Sequence, residues 1–131
     1  MLAPGDLLKI AEARLRDAQV LAKDRRYDGS VYLCGYAVEL ALKVRICRTL
    51  KWAGFPETGR EFEGYTSFRT HKLAVLLHLS GREAAIKARC FPEWSVVATW
   101  EPEVRYRPVG RATSTDAADM LRATRVVLAA L

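Results

Sequence analysis

From about Asp6 to Arg25 the apolar positions Leu7, Leu8, Ala11, Leu15, Ala18 and Ala22 recur at steps of three and four. That spacing makes one stripe of an amphipathic helix, with Lys9, Glu12, Arg16 and Lys23 on the other face. Pro4 and Gly5 precede it, and Asp6 is placed to cap its first turn. Tyr27-Asp28-Gly29-Ser30 reads as a turn, and a second helix follows from about Ser30 to Leu50. This one is apolar nearly all round, which puts it in the middle of a bundle or at a subunit interface. Its polar exceptions, Glu39 and Lys43, are four apart and share a face with Tyr32 and Tyr36. Two readings are open for that pair: a surface ion pair, or charges facing a cleft or a partner.

Between Lys51 and Thr70 no period survives, and Gly54, Pro56, Gly59 and Gly64 punctuate a long loop of the kind that is often functional or mobile. His71 to Leu79 predicts a short helix with its leucines inward, ended by Ser80-Gly81. Arg82 to Arg89 is helical in pattern, and Pro92 opens another helix that turns Trp94, Val97 and Trp100 to the core before Pro102 stops it. Glu103 to Gly110 is bracketed by prolines and reads as extended or looped. The last helix is capped at Thr113, Ser114 or Thr115 and carries the stripe Ala117, Met120, Leu121, Thr124, Val127, Leu128 and Leu131. No strand is visible. The expected fold is all-α, an up-and-down bundle of four main helices plus a short fifth, one domain over 1–131.

Composition narrows the function classes. Half of the 131 residues are hydrophobic and 27% are charged, which excludes disorder. No run approaches the roughly 20 apolar residues of a membrane span, and the first residues lack a secretory pattern, so the expected location is cytoplasmic. The net charge of +6 gives a mild attraction for polyanions. Cys34, Cys47 and Cys90 show no paired spacing, and His71 and His78 cannot complete a zinc set with them, so no metal and no cofactor are expected. The phosphate-loop, nucleophile-elbow and H-E-x-x-H patterns are absent. The densest chemistry is in EVRYRPVGR: Arg105, Arg107 and Arg111, with Tyr106 between the first two. Guanidinium groups hold phosphate bidentately and an adjacent aromatic can stack on a base. The alternative is that Tyr106 packs under the bundle while the arginines are solvated or pair with Glu101 and Glu103.

The stretch YDGSVYLCGYAVELALKVR, Tyr27 to Arg45, resembles the second helix of HEPN domains, with Ala37, Glu39 and Lys43 in its A-x-E-x-x-x-K tail. His71-Lys72-Leu73 followed by Leu76-Leu77 is similar to the family's H-x-L-x-x-L segment. Arg105-Tyr106 with Pro108 resembles the R-Y-P element before its last helix. The likeness runs from about Arg14 to Leu131. It implies an all-α bundle that commonly dimerises and binds RNA or a nucleotide, in some members as a toxin or antitoxin partnered by a minimal nucleotidyltransferase. It also implies Arg105 as the family's arginine and Glu39 as an acid near the site. Nuclease members carry R-x(4–6)-H, in which the histidine handles the 2′-hydroxyl proton and the arginine stabilises phosphorane charge. That spacing is absent here: Thr66, Tyr65 and Gly64 stand where the arginine before His71 would be. Three functions remain in competition. One is an RNA- or nucleotide-binding homodimer using Arg105, Tyr106, Arg107, Arg111 and Lys43. Another is a metal-independent ribonuclease with a rearranged site built on Arg105, Glu39 and His71. The third is a structural assembly protein.

Overall fold

A computed structural model describes residues 1–131, and its regular structure is entirely helical. Three long helices carry the architecture: α1 (Pro4–Lys23), α2 (Tyr27–Leu50) and, at the end of the chain, α6 (Ser114–Ala130). Between them lie three helices of seven residues each, α3 (Leu73–Leu79), α4 (Glu83–Arg89) and α5 (Phe91–Val97). The all-α expectation holds, but the helix count is six, with three long instead of four. Cys90, in a non-helical conformation, separates α4 from α5. Pro92 explains the break, because its ring lacks an N–H and clashes with the carbonyl four residues back.

α2 is central. It pairs along its length with α1 and also packs against α6 and α3, so few of its faces are wet. Cys34, Val38, Leu42 and Ile46 are buried at its heart, where burial pushes the Cys34 thiol up to about 11. The α1–α2 crossing is fixed by Ser30 Oγ donating to the Ala18 carbonyl at 2.8 Å. Against its other side lies Trp100, so close to Gly35 that a Cβ there would sit 2.1 Å from the indole. A glycine at this position is therefore a packing requirement. The two helices are joined by a reversal at Arg25, whose φ is +58°. Tyr27 to Ser30 are the first turn of α2 and not a free turn, because Asp28 suits a helix start and Ser30 is spent on α1.

The segment after α2 is better organised than its lack of period suggests. Trp52, Phe55, Phe62, Tyr65 and Phe68 gather into an aromatic cluster, with Trp52 4.9 Å from Phe68 and 5.1 Å from Tyr65 between ring centroids. Paired hydrogen bonds between Leu2 and Phe55, at 2.8 and 2.7 Å, fasten it to the start of the chain. A short 3-10 turn covers Thr66–Phe68. At the start of α1 the cap position is Ala3, and Asp6 lies inside the first turn, where its charge opposes the helix dipole without a capping bond. Thr113 caps α6 in a full capping box with Asp116.

Candidate functional site

The segment expected to be extended or looped, residues 103–110, begins as a 3-10 turn over Pro102–Tyr106. Proline's fixed φ suits the first position of such a turn. The chain then runs out through Arg107 to a left-handed Gly110, φ +85°, and on to the α6 cap. What pins this excursion is Asp28, in the first turn of α2. Its two carboxylate oxygens accept from the Gly110 N–H at 2.7 Å and the Ala112 N–H at 2.9 Å. Those two bonds, Ala112's the stronger influence, hold the Asp28 carboxyl below its usual value. A residue 82 positions away in sequence thus sets the course of the arginine loop.

Beneath the loop is a cavity of about 570 Å³. Arg105, Arg107 and Arg111 line it together, so three of the expected binding residues do converge. The start of α2 contributes Asp28, Val31 and Tyr32, the end of α5 contributes Val96, and α6 contributes Asp116, Asp119 and Met120. The Arg105 guanidinium lies 5.0 Å from the Tyr106 ring centroid, and the Tyr32 and Tyr106 phenols beside it raise its pKa further above neutrality. Tyr106 itself is 76% exposed, so the alternative in which it packs under the bundle is not what the fold does. A solvated tyrosine stacked on an arginine is a surface ready for another flat ring.

Glu39, Lys43 and His71 meet elsewhere. The Glu39 side chain is 3% exposed, and its Oε1 accepts from Lys43 Nζ at 2.8 Å and stands 2.8 Å from His71 Nδ1. Lys43 is 15% exposed and also lies 5.2 Å from the Phe55 ring centroid, which answers the question left open by the helical pattern. The pair is interior and faces the aromatic cluster. His71 is outside α3, two residues before its first position, with its ring 67% exposed. Tyr32, Tyr36, Glu39 and Lys43 follow one another at four, three and four residues, so one line along α2 joins the two groups. From Tyr32 to Glu39 is seven residues, about 10 Å of helix rise. Tyr36, between them, has its phenol pKa pushed up by burial first and then by the Glu39 and Tyr32 charges. Lys43 and His71 therefore do not line the arginine cavity.

Two residues that matter here, Asp28 and Asp119, have no signal in the sequence beyond being acids near helix starts. Tyr32 had one, since it shares the helical face of Glu39.

A line of polar residues on α2, buried in part, thus runs from the arginine loop to His71. The HEPN domain family matches residues 5–51, which are α1 and α2 almost entire. Over those residues the chain is similar to HEPN domains. The match covers the long helical pair that carries Glu39 and Lys43, and the arginine loop lies beyond it. No curated protein and no solved structure matches the chain. Within that match α2 is both the packing centre and the helix that carries Tyr32, Tyr36, Glu39 and Lys43. No helix is long and apolar enough to cross a membrane.

Proposed function

We propose that this protein is a HEPN-like RNA- or nucleotide-binding module whose contact surface is the loop bearing Arg105, Tyr106, Arg107 and Arg111. The observation that carries the proposal is the convergence of three arginines on one cavity of about 570 Å³ under a loop latched by Asp28. A pocket of a few hundred Å³ suits a nucleotide-sized ligand. The guanidiniums supply forked donors for phosphate oxygens, and exposed Tyr106 supplies a stacking face. The likeness of residues 5–51 to HEPN domains supports the same class of ligand. The reading also has the protein acting as a homodimer, as one component of a toxin–antitoxin pair with a minimal nucleotidyltransferase. Sedimentation of the protein alone and after co-expression with such a partner tests both.

The direct test is fluorescence anisotropy with labelled single-stranded RNA at several salt concentrations. The logarithm of affinity falls with the logarithm of salt by about 0.7 per phosphate contact on a single strand. Arg105→Ala is expected to weaken binding several-fold and to reduce that slope by about one contact. RNA that fails to bind at low salt, or binding indifferent to both salt and Arg105, refutes the proposal.

A second reading is favoured by the Glu39–His71 contact. A buried carboxylate on Nδ1 fixes the imidazole with Nδ1–H donating and Nε2 free toward solvent, the tautomer an acid–base histidine needs. In this reading the module cleaves RNA without a metal: Nε2 takes the 2′-hydroxyl proton as the 2′-oxygen attacks phosphorus, an arginine stabilises the phosphorane, and the imidazolium returns the proton to the 5′-oxygen as the P–O5′ bond breaks. Labelled RNA incubated in chelator separates the two. Fragments that disappear with His71→Ala, in a protein that still melts cooperatively, support cleavage, and intact RNA leaves the binding module.

A further inference from the structure

The arginines of the cavity account for an anion, but the rest of its lining does not. Val31, Val96, Val104 and Met120 give it an apolar wall that a phosphate group would leave unused. It also holds three carboxylates, an odd choice for a pocket that binds anions. Two of them are engaged in the fold: Asp28 accepts from Gly110 and Ala112, and Asp116 accepts from the Thr113 N–H at 2.9 Å in the α6 capping box. Asp119, one turn further along α6, is not. Its sole partner is Arg122, at a stretched 3.5 Å and on an open side chain. An ionised carboxylate can only accept, with two oxygens side by side. Lining the same cavity as three arginines, it weakens the field that attracts phosphate, and its open lone pairs suit a ligand that brings donors as well as charge.

A ligand that satisfies the whole lining has an anionic end, a flat body and two adjacent N–H donors. Among nucleotides this is guanine, whose Watson–Crick edge sets N1–H beside the N2 amino group. Uracil offers one N–H between two carbonyls. Adenine and cytosine each set their amino group beside a ring nitrogen that accepts, and that nitrogen would face the carboxylate lone pairs. The Watson–Crick edge is free only in an unpaired base, which is how single-stranded RNA is read with sequence specificity.

We infer that the cavity takes an unpaired guanine nucleotide of single-stranded RNA, with Asp119 accepting from the base N1–H and N2–H while Arg105, Arg107 and Arg111 hold the flanking phosphates. This rests on the RNA-binding reading above and adds base selectivity to it.

The test uses labelled uridine oligomers carrying one central guanosine, inosine or adenosine, beside the all-uridine oligomer. Guanosine is expected to bind about tenfold more tightly than uridine, the usual discrimination of a bidentate contact. Inosine keeps N1–H and lacks the N2 amino group, so it should lose most of that gain. Asp119→Asn should level guanosine and uridine, with the remaining affinity still falling steeply with salt and the far-UV melt confirming the fold. Equal binding of all four oligomers by the unaltered protein overturns the inference and leaves the RNA-binding reading intact. A guanosine preference that survives Asp119→Asn overturns it as well. Failure of every oligomer to bind at low salt removes both.

Discussion

Asp28→Ala removes no arginine, yet it is expected to disable the arginine loop. The Asp28 carboxylate accepts two backbone bonds from the loop, at 2.7 and 2.9 Å, and both are short enough to be charge-assisted. Such a bond contributes about 1.5–3 kcal/mol where water is excluded. The Gly110 bond is open to solvent and the Ala112 bond only partly shielded, so screening reduces the two together to about 1.5 kcal/mol. Loss of a negative charge from the first turn of α2 costs about 0.5 kcal/mol more. These costs fall in different places. Global stability should drop by only the smaller amount, because α2 is held by its packing, while the loop should open about tenfold more often. Amide exchange at Gly110 and Ala112 reports the opening directly, and RNA titration at fixed salt reports its consequence, an affinity loss of about three- to tenfold. The pH dependence has a definite sign. The Asp28 pKa is lower in the folded protein than its ordinary 3.8. Its contribution is therefore complete above that value and is lost as pH falls from there through the folded pKa. Protection of the two amides relative to their intrinsic exchange rates should fall in that acid window in the unaltered protein and show no such step in Asp28→Ala. Unchanged exchange at Gly110 and Ala112 in the variant would refute the latch. Faster exchange with undiminished RNA affinity would refute its role in the site.

Two further substitutions probe the helix that supports the site. Gly35→Ala places a methyl 2.1 Å from the Trp100 indole, so the ring must leave its seat beside Tyr32; a loss of about 3 kcal/mol in denaturant unfolding is expected, and a loss under about 1 kcal/mol would contradict the close packing. Glu39→Ala strands the largely buried Lys43 ammonium beside the Phe55 ring; since Lys43 keeps 15% exposure and His71 is open to water, the cost should be about 2 kcal/mol, below the 3–5 of a fully buried pair, and a neutral urea midpoint would show that the cluster contributes nothing to folding.

Helix periodicity was enough to reveal α1, the uninterrupted apolar α2 and the capped α6, because burying one face of a long helix imposes a spacing that no tertiary accident can remove. The inward set Trp94, Val97 and Trp100 was legible for the same reason, although α5 itself stops at Val97. The shorter helices were read less well. A seven-residue helix has barely two turns of pattern, and its ends are decided by neighbours, as Cys90 and Pro92 show. The aromatic cluster after α2 escaped the periodic reading because its rings pack on one another and on α2 instead of along a helix face, though five aromatics between Trp52 and Phe68 were there to be counted.

The chemistry divides the same way. The chain alone established that Arg105, Arg107 and Arg111 share one loop, that Tyr106 stands among them and that Glu39 and Lys43 occupy one face of the most buried helix. These are facts of adjacency and helical pitch. Only the tertiary structure decided that the loop folds over a cavity, that Asp28 holds it there, and that His71 meets Glu39 while Lys43 turns away from the arginines. Those outcomes depend on contacts across tens of residues, where the short polar side chain of an acid gives no sign of which distant N–H it will accept from.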